Sequence, residues 1–314
     1  MFPKVSVGLP VRNGGRLLSR AIQSILAQDF GDIELLISDN ASDDATADIC
    51  AEYARIDRRV KVVRHDRTVS STHNFEYVFD NTACKMFMWA AHDDRRAEDC
   101  ISRHVEALHS NPRAILAISD IATVDEVTGS RSVYNFSELL ASDDPIERLR
   151  FVLRQNAWGA IYGLFRRDPL SRCRRLSSIP RLPNGISIDY SVLELSLMGP
   201  FVYIPESLTE CAVRVFDPSA IAAKIGIQNI NRAVLWWLIT DSWKMSGLHH
   251  LTIQKRVHAI YEVLETALQH GTMNQYLRSL NGNAIKTATR DMDLPSLFSL
   301  WLEWTALRAR SSKK

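Results

Sequence analysis

Apolar and polar residues alternate with two different periods along the first 120 residues. Short β-branched apolar runs predict strands at residues 5–11, 34–38, 60–64, 86–91 and 114–119. Between them, apolar side chains recur every three or four residues, which predicts helices at residues 16–28, 45–55, 72–81 and 98–110. Strands that alternate with helices favour a mostly parallel sheet flanked by helices, so the predicted fold class is Rossmann-like α/β.

The rest of the chain has a different pattern. Residues 131–200 are irregular apart from a predicted helix at 189–197, and from about residue 225 onward the apolar spacing is helical. Five of the seven tryptophans fall in this last part, at Trp236, Trp237, Trp243, Trp301 and Trp304. We therefore expect an α/β domain over residues 1–220 and a C-terminal helical extension over 221–314, which serves packing, oligomerisation or association with a membrane surface.

The composition is that of a globular protein, with 46% hydrophobic and 24% charged residues. Apolar stretches such as residues 233–239 are seven residues long, whereas a membrane-spanning helix needs about 20. The first ten residues lack the apolar core of a signal peptide. The five cysteines form no Cys-x-x-Cys pair, so neither a disulfide framework nor a zinc site is indicated, and we expect a cytoplasmic protein.

The net charge of +2 is unevenly distributed. Residues 1–130 carry 15 Lys and Arg against 20 Asp and Glu, whereas residues 131–314 carry 23 against 16. This charge balance does not favour nucleic acid as a partner. It is compatible with a local basic patch that binds phosphate or anionic lipid. Seven arginines stand against one acid over residues 151–181, and they form either a solvated surface or a phosphate-binding surface.

Polar residues follow three of the predicted strands, at residues 10–13, 39–43 and 92–94. Ligands of open α/β sheets bind at the carboxyl ends of the strands, so these three segments form the predicted site. The paired acids Asp93 and Asp94 suit a hard cation such as Mg²⁺ or Mn²⁺, although acids also cap helices. Asp39 suits a hydrogen bond from a nucleoside, or else it shapes the loop as an Asx turn. Residues 9–15 lack the Gly-x-Gly-x-x-Gly pattern of dinucleotide-binding proteins.

The same segments carry a family resemblance. Residues 5–13 (VSVGLPVRN), 34–46 (ELLISDNASDDAT) and 89–94 (WAAHDD), with Asn74-Phe75 between them, resemble the family 2 inverting glycosyltransferases. The match covers roughly residues 3–125 and resumes near residues 188–199. The resemblance implies the nucleotide-diphospho-sugar transferase (GT-A) fold, with nucleotide-sugar binding and catalysis in residues 1–220.

The resemblance also implies a role for each matching residue. Pro10, Arg12 and Asn13 would frame the nucleotide base, and Asp39 would hydrogen-bond it, most often a uracil in this family. Asp93 would bind the metal and Asp94 would lie near the donor sugar. Asp189 occupies the place of the catalytic base.

Two departures from the family pattern concern the metal. Ala91 replaces the first acid of the Asp-x-Asp motif, with His92 in the middle, and Phe216 stands where a further His ligand is usual. A Mn²⁺ or Mg²⁺ cofactor is implied, with Asp93 as its ligand and His92 as a compensating one.

The implied reaction is inverting transfer of a hexosyl group from a nucleoside-diphosphate sugar, usually a UDP-sugar, to a saccharide or lipid-diphosphate acceptor in surface polysaccharide assembly. Peripheral contact with the inner face of the membrane and homo-oligomerisation stay open. Two alternatives remain. Gly14-Gly15-Arg16-Leu17 is similar to the loop of nucleotidyltransferases that make nucleotide-sugars, without their Lys-Pro pair, and Ala91 and Phe216 favour a nucleotide-sugar-binding pseudoenzyme.

Overall fold

The computed structural model describes residues 5–125, 128–136, 138–155, 158–173, 175 and 189–213. Phe216 and the predicted helical region 221–314 therefore lie outside the described residues. The division at residue 220 stays a prediction for the same reason.

Within this part of the chain, nine strands form one sheet. The strands are β1 (Val5–Val11), β2 (Ile33–Asp39), β3 (Val60–Arg64), β4 (Met86–Trp89), β5 (Asp94–Arg96), β6 (Leu116–Asp125), β7 (Arg131–Tyr134), β8 (Leu164–Arg166) and β9 (Phe201–Val213). Their order is β3-β2-β1-β4-β8-β6-β9-β5, with β7 paired to β6.

Seven helices accompany the sheet in the described residues. They are α1 (Gly15–Leu26), α2 (Thr46–Ile56), α3 (Ser71–Asp80), α4 (Cys100–Ser110), α5 (Pro145–Gln155), α6 (Arg167–Ser171) and α7 (Asp189–Met198). Helix α1 illustrates why apolar periodicity predicts the helices. Leu18, Ile22 and Ile25 recur at helical spacing, and all three are buried against the sheet. The predicted helices correspond to α1, α2, α3, α4 and α7.

The first half of the sheet confirms the predicted parallel arrangement. Strands β3, β2, β1 and β4 are all parallel neighbours, and the register places Val11 beside Asp39 and Gly8 beside Trp89. Parallel pairing brings the carboxyl ends of β1, β2 and β4 to one edge of the sheet. The three predicted loop segments therefore lie at the same edge.

The second half of the sheet is mixed. Strand β8 runs antiparallel between β4 and β6, and β5 pairs antiparallel with β9. Strand β9 runs parallel to β6 over ten pairs, with register shifts near Ser119 and Asp120. Strands β5 and β8 have three residues each, too few for a periodic pattern, so their pairing depends on residues distant in sequence.

Two hydrophobic clusters cover the two faces of the sheet. One contains Val7, Leu9 and Ile22, and the other contains Val78 and Phe87. Helix α3 approaches β1 so closely that a Cβ on Gly8 would lie 2.6 Å from the Val78 side chain, so glycine is required there. The loop that follows β1 is therefore attached to a tightly packed strand.

Candidate active site

The loops after β1 and β2 are tied to each other by side chains that bond to backbone. The amide of Asn13 donates to Ser42 Oγ (2.9 Å), and the amide of Gly14 donates to Thr46 Oγ1 (2.8 Å). In return, Asp43 N donates to Asn13 Oδ1 (3.1 Å). These hydrogen bonds fix the conformation of each loop relative to the other.

Asn40 ties the loop after β3 into the same structure. Its backbone amide donates to Val11 O (2.8 Å), and its side-chain Nδ2 donates to Val69 O (3.0 Å). Val69 N donates back to Asn40 Oδ1 (2.7 Å), so the side chain makes a reciprocal pair. Asn40 is 4% exposed, so these bonds are protected from water.

Two non-glycine residues of these loops adopt left-handed backbone conformations. Asn13 has φ of 54° and Ala41 has φ of 51°. Asparagine tolerates this region, whereas alanine loses about 1–2 kcal/mol there. The hydrogen bonds of the neighbouring residues hold Ala41 in place against this cost, which marks a tightly determined loop.

Asp39 ends β2 and is fully buried. Its Oδ1 accepts from Ser42 N (3.0 Å), so the loop-shaping role does occur. Its Oδ2 has no hydrogen-bond donor among the described residues, and Arg64 Nε lies 3.6 Å away. One oxygen of this carboxylate thus shapes the loop, while the other is buried beside the Arg64 guanidinium without a hydrogen-bond donor among the described residues.

A polar network anchors the end of β2 to helix α3. Ser38 Oγ donates to Asn74 Oδ1 (2.6 Å), and Asn74 Nδ2 donates to Ser38 O (3.1 Å). His65 Nε2 lies 3.0 Å from Ser38 Oγ, and His65 N donates to Asp39 O (2.9 Å). This network fixes the backbone that carries Asp39.

The acidic turn follows β4 at the same edge. Asp93 is 35% exposed in its side chain, and His92 Nδ1 lies 3.9 Å from Asp93 Oδ1. A Cβ on Gly14 would lie 3.5 Å from the His92 ring, so this ring borders the loop after β1. Arg20 Nη2 of α1 donates to Asp93 O (3.3 Å) and holds the turn by its backbone. The structure therefore brings His92 and Asp93 next to the Asn13–Gly14 loop.

Asp94 begins β5 and points into the protein. It is 6% exposed, and its Oδ2 has no hydrogen-bond donor among the described residues. Burial raises the pKa of Asp94 to about 7, and the negative charge of Asp93 acts in the same direction, while Arg96 opposes them. Carboxyl groups with a strongly raised pKa cluster at functional sites, so the raised pKa of Asp94 is consistent with a site at this edge of the sheet.

Arg96 was not identified from the sequence as a site residue. It is buried, and its Nη2 donates to Trp89 O (2.6 Å) at the end of β4. Its Nη1 donates to Tyr162 O (3.2 Å) and Thr209 Oγ1 (3.1 Å). Arg96 thereby connects β4, β5 and β9 directly beneath the acidic turn. In the sequence it is one of two adjacent arginines, and nothing marks it as buried.

The other predicted site residues have different surroundings. Pro10 is buried in β1 opposite Ser38, and Arg12 is exposed at the start of the loop. Asp189 is the first residue of α7, which confirms the predicted helix. Its side chain lies outside the described part of the structure, so its role as the catalytic base stays a prediction.

The arginine-rich segment is bound to protein groups where the structure describes it. Arg166 donates to Leu108 O (2.7 Å) and Ala114 O (2.8 Å), while Arg167 donates to Cys84 O (2.6 Å) and Phe79 O (2.9 Å). Arg166 pairs with the first residue of β4, at the sheet edge opposite the acidic turn. Arg166 and Arg167 thus hold backbone carbonyls at that edge, and the phosphate-binding role of the arginine-rich stretch 154–181 stays a prediction.

Within the described residues, no group of three or more His, Cys, Asp or Glu side chains is arranged to hold a metal ion. No described helix is long and apolar enough to cross a membrane.

The fold, together with the loops at the carboxyl ends of β1, β2 and β4, identifies a class of protein. The structure is similar to that of S. aureus TarS 1-349 in complex with UDP-GlcNAc, with a TM-score of 0.63 and 11% sequence identity. The similarity covers 89% of this chain and 76% of that one. A mixed sheet flanked by helices, with loops and an acidic turn at one edge, makes this a glycosyltransferase fold of the GT-A type.

The family follows from the sequence comparison. The model for glycosyl transferase family 2 matches residues 6–171, more than half of the chain, and the chain belongs to this family. A segment of 182 residues is 25% identical to the putative glycosyltransferase EpsE of Bacillus subtilis (strain 168), covering 56% of this chain and 64% of EpsE. A shorter one of 60 residues is 42% identical to a GalNAc(5)-diNAcBac-PP-undecaprenol beta-1,3-glucosyltransferase of Campylobacter jejuni, covering 19% of each. The chain thus spans less than two thirds of either relative.

Proposed function

We propose that the chain transfers a hexosyl group from a UDP-sugar to a saccharide or lipid-diphosphate acceptor, with inversion at the anomeric carbon. The observation that carries this proposal is the buried carboxylate of Asp39 at the end of β2, whose Oδ2 lies 3.6 Å from Arg64 Nε and has no hydrogen-bond donor among the described residues. It lies in hydrogen-bonded loops at the same sheet edge as the acidic turn. Two comparisons support it. The TarS structure of the same fold holds UDP-GlcNAc, and the name of the C. jejuni relative specifies a lipid-diphosphate acceptor.

The nucleoside would bind at the ends of β1 and β2. A buried carboxylate oxygen without a donor is costly, and an N–H of a base removes that cost when it donates to Oδ2. Pro10, Arg12 and Asn13 form the neighbouring loop and would frame the base. Asn13 is held by Ser42 and Asp43, so the loop needs little reorganisation on binding.

The diphosphate would lie against the acidic turn. Mg²⁺ and Mn²⁺ are commonly held by one or two carboxylates, with phosphate oxygens completing the shell. Asp93, half-exposed on the turn, fits that donor set, with His92 beside it and Asp94 next in the chain. When bound, such a cation would stabilise the negative charge on the departing diphosphate.

Asp189 would act as the base on the acceptor. The acceptor hydroxyl oxygen attacks the anomeric carbon and its proton passes to the Asp189 carboxylate. The bond between that carbon and the diphosphate oxygen breaks, and the diphosphate leaves with the electron pair. A single displacement of this kind inverts the anomeric centre. A positioned base is typically worth 10²–10⁴-fold in rate.

The proposal also includes the roles of the two parts of the chain and the cellular location of the reaction. We place the catalytic machinery in residues 1–220, and we assign the region 221–314 to packing, oligomerisation or contact with the inner face of the membrane. Assembly of a surface polysaccharide from cytoplasmic UDP-sugars would require contact of this kind with a lipid-linked acceptor.

The first experiment measures UDP binding by calorimetry with and without Mn²⁺. Asp39→Asn should weaken UDP by about 1–3 kcal/mol, because it disturbs a buried charged hydrogen bond. Asp93→Ala should remove the dependence on Mn²⁺. Asp43→Asn is the matched control, since Asp43 lies in the same loop with its side chain exposed. Equal UDP affinity in wild type and Asp39→Asn would exclude the nucleoside site.

The second experiment measures turnover as UDP release from a panel of UDP-sugars. Asp189→Asn should lower turnover by about 10²–10⁴-fold and leave UDP affinity nearly unchanged. Ala91, in place of the first acid of the motif, favours one alternative, a nucleotide-sugar-binding pseudoenzyme. UDP-sugar binding without UDP release from any donor, in the presence of acceptor and Mn²⁺, would establish that alternative.

A further inference from the structure

Tyr162 lies at the carboxyl end of β4, although it belongs to a distant part of the chain. It ends a short 3₁₀ helix, Trp158–Tyr162, that precedes strand β8. Strand β8 runs antiparallel to β4, so the residues before β8 lie at the carboxyl end of β4. The Arg96 guanidinium joins the two segments, because it donates to Trp89 O (2.6 Å) and to Tyr162 O (3.2 Å). Tyr162 therefore lies at the same sheet edge as the acidic turn.

The side chain of Tyr162 is partly buried near the two acids of the turn. Its ring packs against the hydrophobic cluster that contains Trp89, and the 3₁₀ helix that carries it contacts both β4 and α7. Burial raises the pKa of Tyr162 well above its ordinary value, and the charges of Asp94 and Asp93 act in the same direction. The phenol is thus a neutral O–H group beside the acidic turn.

The strands at this edge follow the same order as the parts of a nucleoside-diphosphate sugar. Strands β2, β1, β4 and β8 are consecutive in the sheet, and neighbouring strands lie about 4.8 Å apart. In the proposed function the nucleoside binds at the ends of β2 and β1, and the diphosphate lies against the turn after β4. The segment before β8 comes next in this order. The sugar, which follows the diphosphate in the donor, would therefore lie beside Tyr162.

We propose that Tyr162 is a specificity-determining residue that hydrogen-bonds a hydroxyl of the donor sugar. This inference rests on the proposed function, because it extends the same donor site by one group. A phenol donates one hydrogen bond and also accepts, so it can bond to a sugar hydroxyl even while a protein group accepts its proton. A site built to hydrogen-bond a substrate hydroxyl rejects analogues that lack it. Tyr162 thus selects among UDP-hexoses by the position of one hydroxyl.

The test compares the binding of UDP, UDP-glucose, UDP-galactose and UDP-GlcNAc to wild type and Tyr162→Phe by calorimetry with Mn²⁺. The substitution keeps the ring and removes the hydroxyl. UDP affinity should therefore stay the same, while the UDP-sugar that wild type binds best should bind about tenfold more weakly. Tyr53→Phe is the matched control, because it removes a phenol hydroxyl inside helix α2, where it donates to Ser19 O (3.4 Å). This control should change neither affinity.

A second measurement separates a direct contact from an indirect effect on the turn. It uses monodeoxy analogues of the best-bound UDP-sugar, each of which lacks one hydroxyl. One analogue should bind wild type about tenfold more weakly than the parent sugar does. Tyr162→Phe should bind that analogue and the parent equally, because the contact is already absent. Tyr162→Met is a second variant for use if Tyr162→Phe does not fold, and it should show the same equality.

The outcomes separate this inference from the proposed function. If wild type binds no UDP-sugar, the proposed function is wrong and the inference with it. If wild type binds a UDP-sugar and Tyr162→Phe binds it equally well, only the role of Tyr162 is wrong. An equal loss for UDP and the UDP-sugar would mean that Tyr162 supports the acidic turn, which overturns the sugar contact. A further loss in Tyr162→Phe for every monodeoxy analogue would overturn it as well.

Discussion

The side of the site that we propose for the nucleoside (the nucleoside side) and the side that carries the acidic turn (the acidic side) lie at one edge of the sheet but are held differently. On the nucleoside side, polar side chains such as Asn13, Asn40 and Ser42 bond directly to the neighbouring loops. On the acidic side, two arginines hold backbone carbonyls: Arg20 holds that of Asp93, and Arg96 holds that of Trp89.

The carboxylates show the consequence of this difference. Loop-shaping uses one oxygen of Asp39 and leaves the other. Asp93 is half-exposed, and Asp94 has a buried oxygen without a donor among the described residues. The loops of the nucleoside side are thus held by side-chain hydrogen bonds, whereas on the acidic side the backbone is held and a carboxylate oxygen of Asp94 has no donor among the described residues. Four stability measurements test this contrast.

The largest effect is expected for Arg96→Met. Removing the guanidinium leaves the buried acceptors at Trp89, Tyr162 and Thr209 without their donor, which should cost about 3–5 kcal/mol of unfolding free energy. Urea denaturation measures the change. The control is Arg95→Met on the same strand, because Arg95 is 55% exposed with an ion pair at 3.8 Å, and it should change stability by less than about 1 kcal/mol. Equal effects of the two substitutions would show that Arg96 does not hold the acidic turn.

The second prediction concerns pH and Asp94. Because its folded pKa of about 7 is above its unfolded value, the folded protein binds the extra proton, and stability falls as pH rises from about 4 through 7. Asp94→Asn removes this dependence, so the stability of the variant relative to wild type should increase across that pH window, by roughly 4 kcal/mol at pH 8. Melting curves of both proteins between pH 4 and 8 provide the measurement. A constant difference across the window would contradict the raised pKa.

On the nucleoside side, Asn40→Ala should cost about 2 kcal/mol, because it leaves the part-buried backbone N–H and C=O of Val69 without the Asn40 side chain that pairs with both. Asn81→Ala is the control. Asn81 is exposed and makes one bond, to Tyr77 O (2.9 Å), so its loss should be about 0.5 kcal/mol. A loss at Asn40 no larger than that at Asn81 would mean that the loops are not cross-linked through this side chain.

The smallest effect is expected for Ala41→Gly. Glycine removes the left-handed penalty of about 1–2 kcal/mol, and the greater freedom of its unfolded chain offsets about 0.4–1 kcal/mol. The net gain in stability should be about 0.5–1 kcal/mol by urea denaturation. Ala54→Gly inside helix α2 should instead lose about 1 kcal/mol. Destabilisation by both substitutions would show that the loop does not strain Ala41.

The sequence alone determined the parallel half of the fold and the segments that form the site. Helix α1 and strand β3 were predictable because their apolar residues recur with the period of the element that they form. The three segments of the candidate site followed, since parallel strands place their carboxyl ends at one edge. Family membership was also evident in residues 5–13, 34–46 and 89–94, and the family model confirms it.

Only the tertiary structure decided which charged residues are buried and what they hold. Strand β5 consists of Asp94, Arg95 and Arg96, which have no apolar pattern, and it exists because it pairs with residues 209–211. That pairing buries Arg96 and leaves its neighbour Arg95 exposed. It also buries the carboxyl of Asp94. The physical reason is that local periodicity reports which face of an element is apolar, whereas the partner of a buried charge comes from a distant part of the chain.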